Sequence, residues 1–263
     1  YPDNSQVQFS YNANGNRTQM IDSLGASTYS YDALSRMLSS TDPFGKTVGY
    51  GYDANGNRTS LTYPDGKKVN YTYDALNMMI TATDWLSHTA YYNYDNAGNL
   101  IGIVNPNGTT VTYTYDTVSR LTGLTNAKSD TTVISSYTYS LDEIGNHTGA
   151  TQNEPLAPVF TNKNVAYTYD IENRLSNAGG AAYSHDANGN MTAKGSDTFA
   201  YDYMDRLIQS NIGGINATYS YDGFGNRLKK ADGGATTKYA LDVNGTLSNV
   251  LAETDNSGTI TAY

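Results

Sequence analysis

The carboxylates are the side chains here with the most obvious chemistry. Of 25 acidic residues, 21 are Asp and four are Glu. Two carboxylates about 5–10 Å apart in unlike environments can hydrolyse a glycosidic bond. The aspartates of this chain recur instead as equivalents. One follows each aromatic-x-aromatic triplet, as in Tyr31-Asp32, Tyr52-Asp53, Tyr73-Asp74, Tyr94-Asp95, Tyr115-Asp116, Tyr169-Asp170, Tyr201-Asp202 and Tyr221-Asp222. No Asp or Glu stands out from its siblings. An Asp entering a turn accepts backbone N–H groups in an Asx-turn, so the recurring carboxylate reads as a turn former. A glycoside hydrolase is the least supported reading.

Other chemistries fare no better. Asp53-Ala54-Asn55-Gly56-Asn57 offers oxygen ligands at alternate positions, but a calcium loop of the EF-hand type needs Gly sixth and Glu twelfth. His88, His147 and His185 lie far apart in the chain and share no zinc-ligand spacing. There is no cysteine, hence no disulfide, thiolate metal site or thiol nucleophile. The serines form no Gly-x-Ser-x-Gly elbow, and Gly213-Gly214 lacks the Lys of a phosphate loop. No metal, no cofactor and no catalytic residue is expected.

What must position these residues is a repeat. The aromatic-x-aromatic-Asp unit recurs twelve times, from Phe9/Tyr11 to Tyr239/Leu241, in steps of 20, 21, 21, 21, 21, 26, 28, 16, 16, 20 and 20. Residues two apart share one face of a strand, so each pair puts both rings on one side. Turn chemistry follows at once. Asn14-Gly15, Asn55-Gly56 and Asn188-Gly189 are hairpin signals. A second type, as in Leu34-Ser35-Arg36 and Val118-Ser119-Arg120, alternates with it until the last two repeats, so the unit reads as a pair of repeats of about 42 residues. Mid-repeat punctuation, as in Pro64-Asp65-Gly66, makes each repeat strand, turn, strand, turn. Twelve repeats predict on the order of 24 antiparallel strands, a number that must curl or split.

All seven arginines lie just past the repeat Asp. Arg17, Arg58 and Arg227 stand six residues after the second aromatic, in the glycine turns. Arg36, Arg120, Arg174 and Arg206 stand five after it, in the other turns. The expectation is that Arg meets Asp at the hairpin base, or caps turn carbonyls, and sets turn shape more than stability.

Ile, Leu, Val and Phe total 44 of 263 residues, a low fraction that on its own suggests disorder. The 25 tyrosines reverse that, because each can bury a ring with its hydroxyl bonded. They are expected as the main core residues, stacked across the sheet. A net charge of −9 argues against nucleic acid and anionic membranes. No apolar run approaches a transmembrane span. The opening Tyr1-Pro2-Asp3 is no leader, so a signal peptide is absent or removed, or the chain is an excised piece.

The motifs Tyr52-Asp53-Ala54-Asn55-Gly56-Asn57-Arg58-Thr59 and Tyr221-Asp222-Gly223-Phe224-Gly225-Asn226-Arg227-Leu228 resemble the YD repeat of the Rhs, wall-associated and teneurin-like family. The resemblance runs from about residue 9 to 263. It implies a hollow spiral of hairpins that in bacterial members encloses a toxin, and secretion or surface display. Leu247 to Tyr263 is similar to the approach to the family's core region. Family shells have more repeats, so the chain reads as one arc of such a shell. Leu141, His185 and Leu241 replace the second Tyr, and Met78 replaces an Arg.

The expected fold is therefore all-β: tandem antiparallel hairpin repeats in a long curled or spiral sheet. It divides into regular repeats over 1–126, irregular long-loop repeats over 127–165 and further repeats over 166–263. The 127–163 stretch reads as a loop between hairpins, with a plug, cap or partner contact as its alternatives. Trp85, in a turn, is a candidate contact residue. The expected function is a non-catalytic wall that encloses or presents another polypeptide, secreted or at the cell surface. Its partners are then the rest of the shell and an enclosed toxin domain. The alternative is an extracellular module binding glycans or cell-surface proteins.

Overall fold

The computed structural model describes residues 5–156 and 164–263. These form 25 β-strands and no helix. The first fourteen are β1 (Gln8–Tyr11), β2 (Arg17–Asp22), β3 (Gly25–Tyr31), β4 (Met37–Thr41), β5 (Thr47–Tyr52), β6 (Arg58–Thr62), β7 (Lys68–Tyr73), β8 (Met79–Thr83), β9 (Thr89–Tyr94), β10 (Leu100–Val104), β11 (Thr110–Tyr115), β12 (Leu121–Ala127), β13 (Val133–Leu141) and β14 (His147–Asn153). The others are β15 (Tyr167–Tyr169), β16 (Leu175–Ala178), β17 (Ala181–His185), β18 (Met191–Lys194), β19 (Asp197–Tyr201), β20 (Leu207–Ile212), β21 (Ile215–Tyr221), β22 (Arg227–Asp232), β23 (Ala235–Asp242), β24 (Asn249–Thr254) and β25 (Ile260–Ala262). The strands pair in chain order, β1 to β14 in one antiparallel sheet and β15 to β25 in a second. Short turns permit nothing else, because a tight hairpin returns the chain beside the strand it has just left.

The step lengths have a direct cause. In the 21-residue step from Tyr31 to Tyr52, strands of five and six residues are joined by a mid-repeat turn at Asp42–Lys46. In the 20-residue step from Tyr11 to Tyr31 the strands have six and seven residues, and only Ser23 and Leu24 lie between them. Three turn residues are exchanged for two strand residues. The 16-residue steps keep the two-residue turn, at Gly179-Gly180, and trim the strands to four and five. Both glycines there have positive φ, which an L side chain resists.

The 127–163 stretch departs from the loop expected of it. β12 and β13, of seven and nine residues, form the longest hairpin of the chain, closed by a turn at Lys128–Thr132. β14 adds seven residues, six of them paired with β13. The step is long because its strands are long. The ladder is left only after Asn153, and residues 157–163 with Pro158 lie outside the described part.

Each sheet has an aromatic face and a hydroxyl face. Opposite the tyrosines, Ser30 bonds Ser39 at 2.6 Å, Thr41 bonds Thr47 at 2.8 Å and Thr83 bonds Thr89 at 2.9 Å. The chain divides into two compact units. Unit 1 comprises Tyr1–Gly49, Tyr63–Gly66 and Asn162–Tyr263, as far as described; unit 2 comprises Tyr50–Thr62 and Lys67–Thr161. Within unit 1 the first strands face the last. Lys46 Nζ donates to the Gly258 carbonyl at 2.6 Å, and the Gly223 N–H donates to Asp22 Oδ2 at 2.8 Å. Met20, Val48, Ala217, Leu228, Tyr239, Ala240, Leu251 and Ala252 are buried there. In the described part of unit 2 only Tyr50 and Leu61 are buried apolar side chains.

The tyrosines are thus mostly a half-buried wall and not the main core. Of the repeat pairs, Tyr50 and Tyr239 are buried, Tyr11, Tyr167 and Tyr169 are exposed, and the remaining tyrosines lie between. In a single-layer ladder each ring is covered only by its neighbours. The buried apolar side chains of unit 1 are chiefly aliphatic, because a second layer covers them.

Candidate functional site

The repeat aspartates build one turn many times over. At Asp32 the Ser35 N–H donates to the Asp32 carbonyl and the Asp32 N–H donates to the Arg36 carbonyl, both at 3.0 Å. The fourth turn residue is left-handed: Ser35 at φ 64°, Gly56 at φ 93°. This is a type I turn followed by a bulge, a common hairpin connection. The carboxylate shapes it. Asp32 Oδ1 accepts the N–H groups of Leu34 and Arg36, each at 2.9 Å. The same pair of bonds occurs at Asp74, Asp95, Asp116, Asp142, Asp170, Asp186, Asp202 and Asp222.

The other carboxylate oxygen is read by the residue four places on. In one turn type that residue is Arg, whose Nε donates at 2.7 Å in Arg36–Asp32, 2.6 Å in Arg120–Asp116, 2.7 Å in Arg174–Asp170 and 2.7 Å in Arg206–Asp202. In the glycine turns it is Asn, as in Asn57 to Asp53 Oδ2 at 2.8 Å and Asn226 to Asp222 Oδ2 at 2.9 Å. At Asp74 it is Met78, which has no donor.

These side chains also reach the neighbouring turn, which is the physical reason for the alternation. Arg120 Nη1 donates to the Asp142 carbonyl at 2.9 Å, and Arg174 and Arg206 donate in the same way to Asp186 and Asp222 at 3.2 Å. The receiving turns carry Gly at their left-handed position, Gly145 at φ 94°, Gly189 at φ 91° and Gly225 at φ 88°. In the other direction the glycine-turn Asn donates to the left-handed residue of its neighbour: Asn16 to Ser35 at 2.8 Å, Asn57 to Asn77 at 2.8 Å, Asn99 to Ser119 at 3.0 Å and Asn190 to Asp205 at 2.6 Å. Each turn type supplies what the other lacks.

The arginines five residues after the turn residue behave differently from those at four. Arg17, Arg58 and Arg227 are the first residues of β2, β6 and β22, so their side chains join the aromatic face. Arg58 lies over Tyr71 at 5.4 Å; Arg227 lies 5.6 Å from the Tyr219 ring and 5.3 Å from Tyr239. Cation–π contact of this kind favours desolvated guanidinium. Ring contact is not confined to this slot: Arg206, bonded to Asp202, also lies 5.1 Å from the Tyr221 ring.

A tyrosine contact completes the pattern, and sequence reasoning missed it. The second Tyr of a pair donates its hydroxyl to the first strand residue after the previous turn. Tyr73 bonds the Arg58 carbonyl at 2.8 Å, Tyr94 the Met79 carbonyl at 3.0 Å, Tyr115 the Leu100 carbonyl at 2.9 Å and Tyr221 the Leu207 carbonyl at 2.8 Å. A signal existed: Phe9 and Phe199 occupy the first aromatic position, but no Phe occupies the second.

The electrostatics follow the bonding. Backbone donation from the arginine holds Asp32 and Asp116 below the usual carboxylate range, and the asparagine side chain does so at Asp53, Asp95, Asp142 and Asp186. Asp42, in a mid-repeat turn, moves up because it is buried. Burial likewise raises Tyr73, Tyr94, Tyr115 and Tyr221. His88 pairs with Asp84 at 3.0 Å and His147 stacks edge-on against Tyr139. Trp85 is half-buried with Lys67 5.3 Å from its ring. Among the described residues no three His, Cys, Asp or Glu side chains are grouped to hold a metal ion.

A ladder of hairpins closed by equivalent aspartate turns defines the class: a tandem-repeat wall with the same stitch at each turn. Residues 11–47, 31–68, 52–89 and 94–131 match the RHS Repeat family, and the chain is a segment of that RHS, or YD-repeat, family. It is 36% identical over 135 residues to the tRNA nuclease WapA of Bacillus subtilis (strain 168), a match covering 50% of this chain and 5% of that protein. The tRNA(Glu)-specific nuclease WapA of Bacillus subtilis subsp. natto (strain BEST195) is 37% identical over 102 residues, 38% of this chain and 4% of its own length. The crystal structure of TcdB2-TccC3 without its hypervariable C-terminal region superimposes with a TM-score of 0.53 at 15% identity, covering 97% of this chain and 17% of that one. That likeness shows the fold. The matches to both nucleases span about a twentieth of their length.

Proposed function

We propose that the chain is a non-catalytic wall segment of an RHS-repeat shell, which encloses or presents another polypeptide of the same protein or complex. The protein is secreted or displayed at the cell surface. The observation that carries this reading is the series of interlocked turns within each sheet. Every repeat aspartate is committed to backbone N–H groups, which suits a rigid wall. The names of the relatives agree with it. WapA proteins are called nucleases, and this chain matches a small repeat-bearing part of them. The TcdB2-TccC3 structure that superimposes is one without its hypervariable C-terminal region. By analogy, any enzymatic activity belongs to a segment outside these repeats.

The test is protease protection in the complete protein that carries these residues. A polypeptide following the repeats should resist a protease while the wall is intact, and be cleaved once turn substitutions such as Asp116→Ala and Asp222→Ala loosen it. Cleavage at the same rate in both states would refute enclosure.

A further inference from the structure

Unit 1 contains a seam between the mid-repeat turns of its first strands and the last strands of the chain. The Gly223 N–H donates to Asp22 Oδ2 at 2.8 Å, Lys46 Nζ donates to the Gly258 carbonyl at 2.6 Å, and the Tyr263 hydroxyl donates to Asp65. Asp22, Lys46 and Asp65 flank or form three successive mid-repeat turns, β2–β3, β4–β5 and β6–β7. The partners advance in the same order, and each pair is 198 to 212 residues apart, so the seam has a register.

The next mid-repeat turn of that sheet is Asp84–His88, between β8 and β9. It has the same bonds as the Asp42–Lys46 turn. Asp42 Oδ1 accepts the N–H groups of Phe44 and Lys46, and Asp84 Oδ1 those of Leu86 and His88, all at 2.8 Å. Their surroundings differ. Phe44 is half-buried in the seam, with the Lys238 ammonium 5.0 Å from its ring. Leu86 holds the same turn position and is 64% exposed. Trp85 stands beside it, and His88 takes the place of Lys46.

We infer that the Asp84–His88 turn is the seat of the next seam contact, and that its occupant is a hairpin turn of an RHS repeat continuing the chain past Tyr263. Apolar surface left open where its equivalent is covered marks an interaction site. Two observations select this occupant over an unrelated partner. The seam is colinear, so chain following Tyr263 arrives at the turn following Tyr63–Gly66. The WapA relatives extend far beyond the matched segment, which is 5% and 4% of their lengths. The incoming turn presents an apolar side chain to Trp85 and Leu86, and a backbone polar group to His88, as Gly258 does to Lys46. The inference rests on the chain being a segment of a longer repeat array, and not on enclosure.

The test places the photo-cross-linker p-benzoylphenylalanine at position 86 of the complete protein, with position 44 as the control. The control should cross-link to residues 238–258. Position 86 should cross-link to the first one or two repeats after Tyr263, within one molecule, as shown by mixing isotopically labelled and unlabelled protein before illumination. The same probe at position 88 should reach the same residues, and serves if the first variant does not fold. Cross-links only to a second copy or to another protein overturn the assignment. So does no cross-link beside a working control, and a failed control removes the seam itself. Protease cleavage of an enclosed polypeptide would leave these cross-links unchanged, so the two readings fail separately.

Discussion

The hydroxyl of the second tyrosine gives the sharpest test of how the wall is built. Tyr115 donates to the Leu100 carbonyl at 2.9 Å, whereas no hydrogen bond is present at the hydroxyl of Tyr113, its partner two residues earlier. Both are half-buried in unit 2 on the same face. Tyr→Phe at either site keeps the ring and removes one oxygen. A net hydrogen bond contributes about 0.5–1.5 kcal/mol, and a part-buried carbonyl can recover some of that from water, so Tyr115→Phe should cost about 0.5–1 kcal/mol. With a urea m-value of about 2 kcal/mol/M, the midpoint falls by about 0.25–0.5 M. Tyr113→Phe should leave it unchanged. Trp85, the one tryptophan, lies in unit 2 and reports the transition by fluorescence. Equal shifts for the two substitutions, or none at Tyr115, would refute the hydroxyl's role. In a repeat array stability is nearly a sum of local terms, so Tyr73→Phe and Tyr94→Phe should add to the effect.

Four further outcomes are expected. Asp222 is buried and accepts three bonds, so Asp222→Ala should lower the unfolding free energy by about 2–4 kcal/mol, read by chemical denaturation. Gly56 has φ +93° with open space where a Cβ would sit, so Gly56→Ala should cost about 1–2 kcal/mol from backbone strain, and Gly56→Asn clearly less, by the same assay. Gly223 is the contrasting case: an added Cβ would lie 2.7 Å from Val7 Cγ1 and 3.1 Å from Met20 Sδ, and overpacking there should cost about 1–3 kcal/mol. The turn carboxylates Asp32, Asp53, Asp95, Asp116, Asp142, Asp170 and Asp186 have folded pKa values below their unfolded ones. Their contribution is complete above the unfolded value of about 3.9 and is lost as pH falls through the lower folded values; Asp42, shifted upward, works in the opposite sense. A melting temperature flat from neutral pH to about 5 and falling below about 4 is the expected profile.

The repeat, the hairpins and the turn sites were legible because their causes are local. A Tyr-x-Tyr pair fixes a face, and Asn-Gly or Ser in a left-handed slot fixes a turn, within a few residues. The two arginine slots were visible as five or six residues past the second aromatic. Their consequence was not, since it depends on where the strand begins: Arg36 is the last turn residue and Arg17 the first strand residue. The 127–163 stretch was misjudged from its broken rhythm, although Thr131 to Tyr139 is a run of strand formers without a breaker. Contacts such as Lys46 to Gly258 and Asp22 to Gly223 span some 200 residues and leave no local trace. They decide which residues form the core of unit 1.

Interlocking of alternate turns is measured most directly by a double-mutant cycle on Asn190 and Asp205. Both Asn190 and Asn188 donate to the Asp205 carboxylate, at 2.6 and 2.9 Å. Asp205 has φ 57°, so Asp205→Gly deletes the acceptor without adding backbone strain. Combined with Asn190→Ala, the cycle should give a coupling of about 1 kcal/mol. A coupling within error of zero would mean that the turns stand side by side without holding one another.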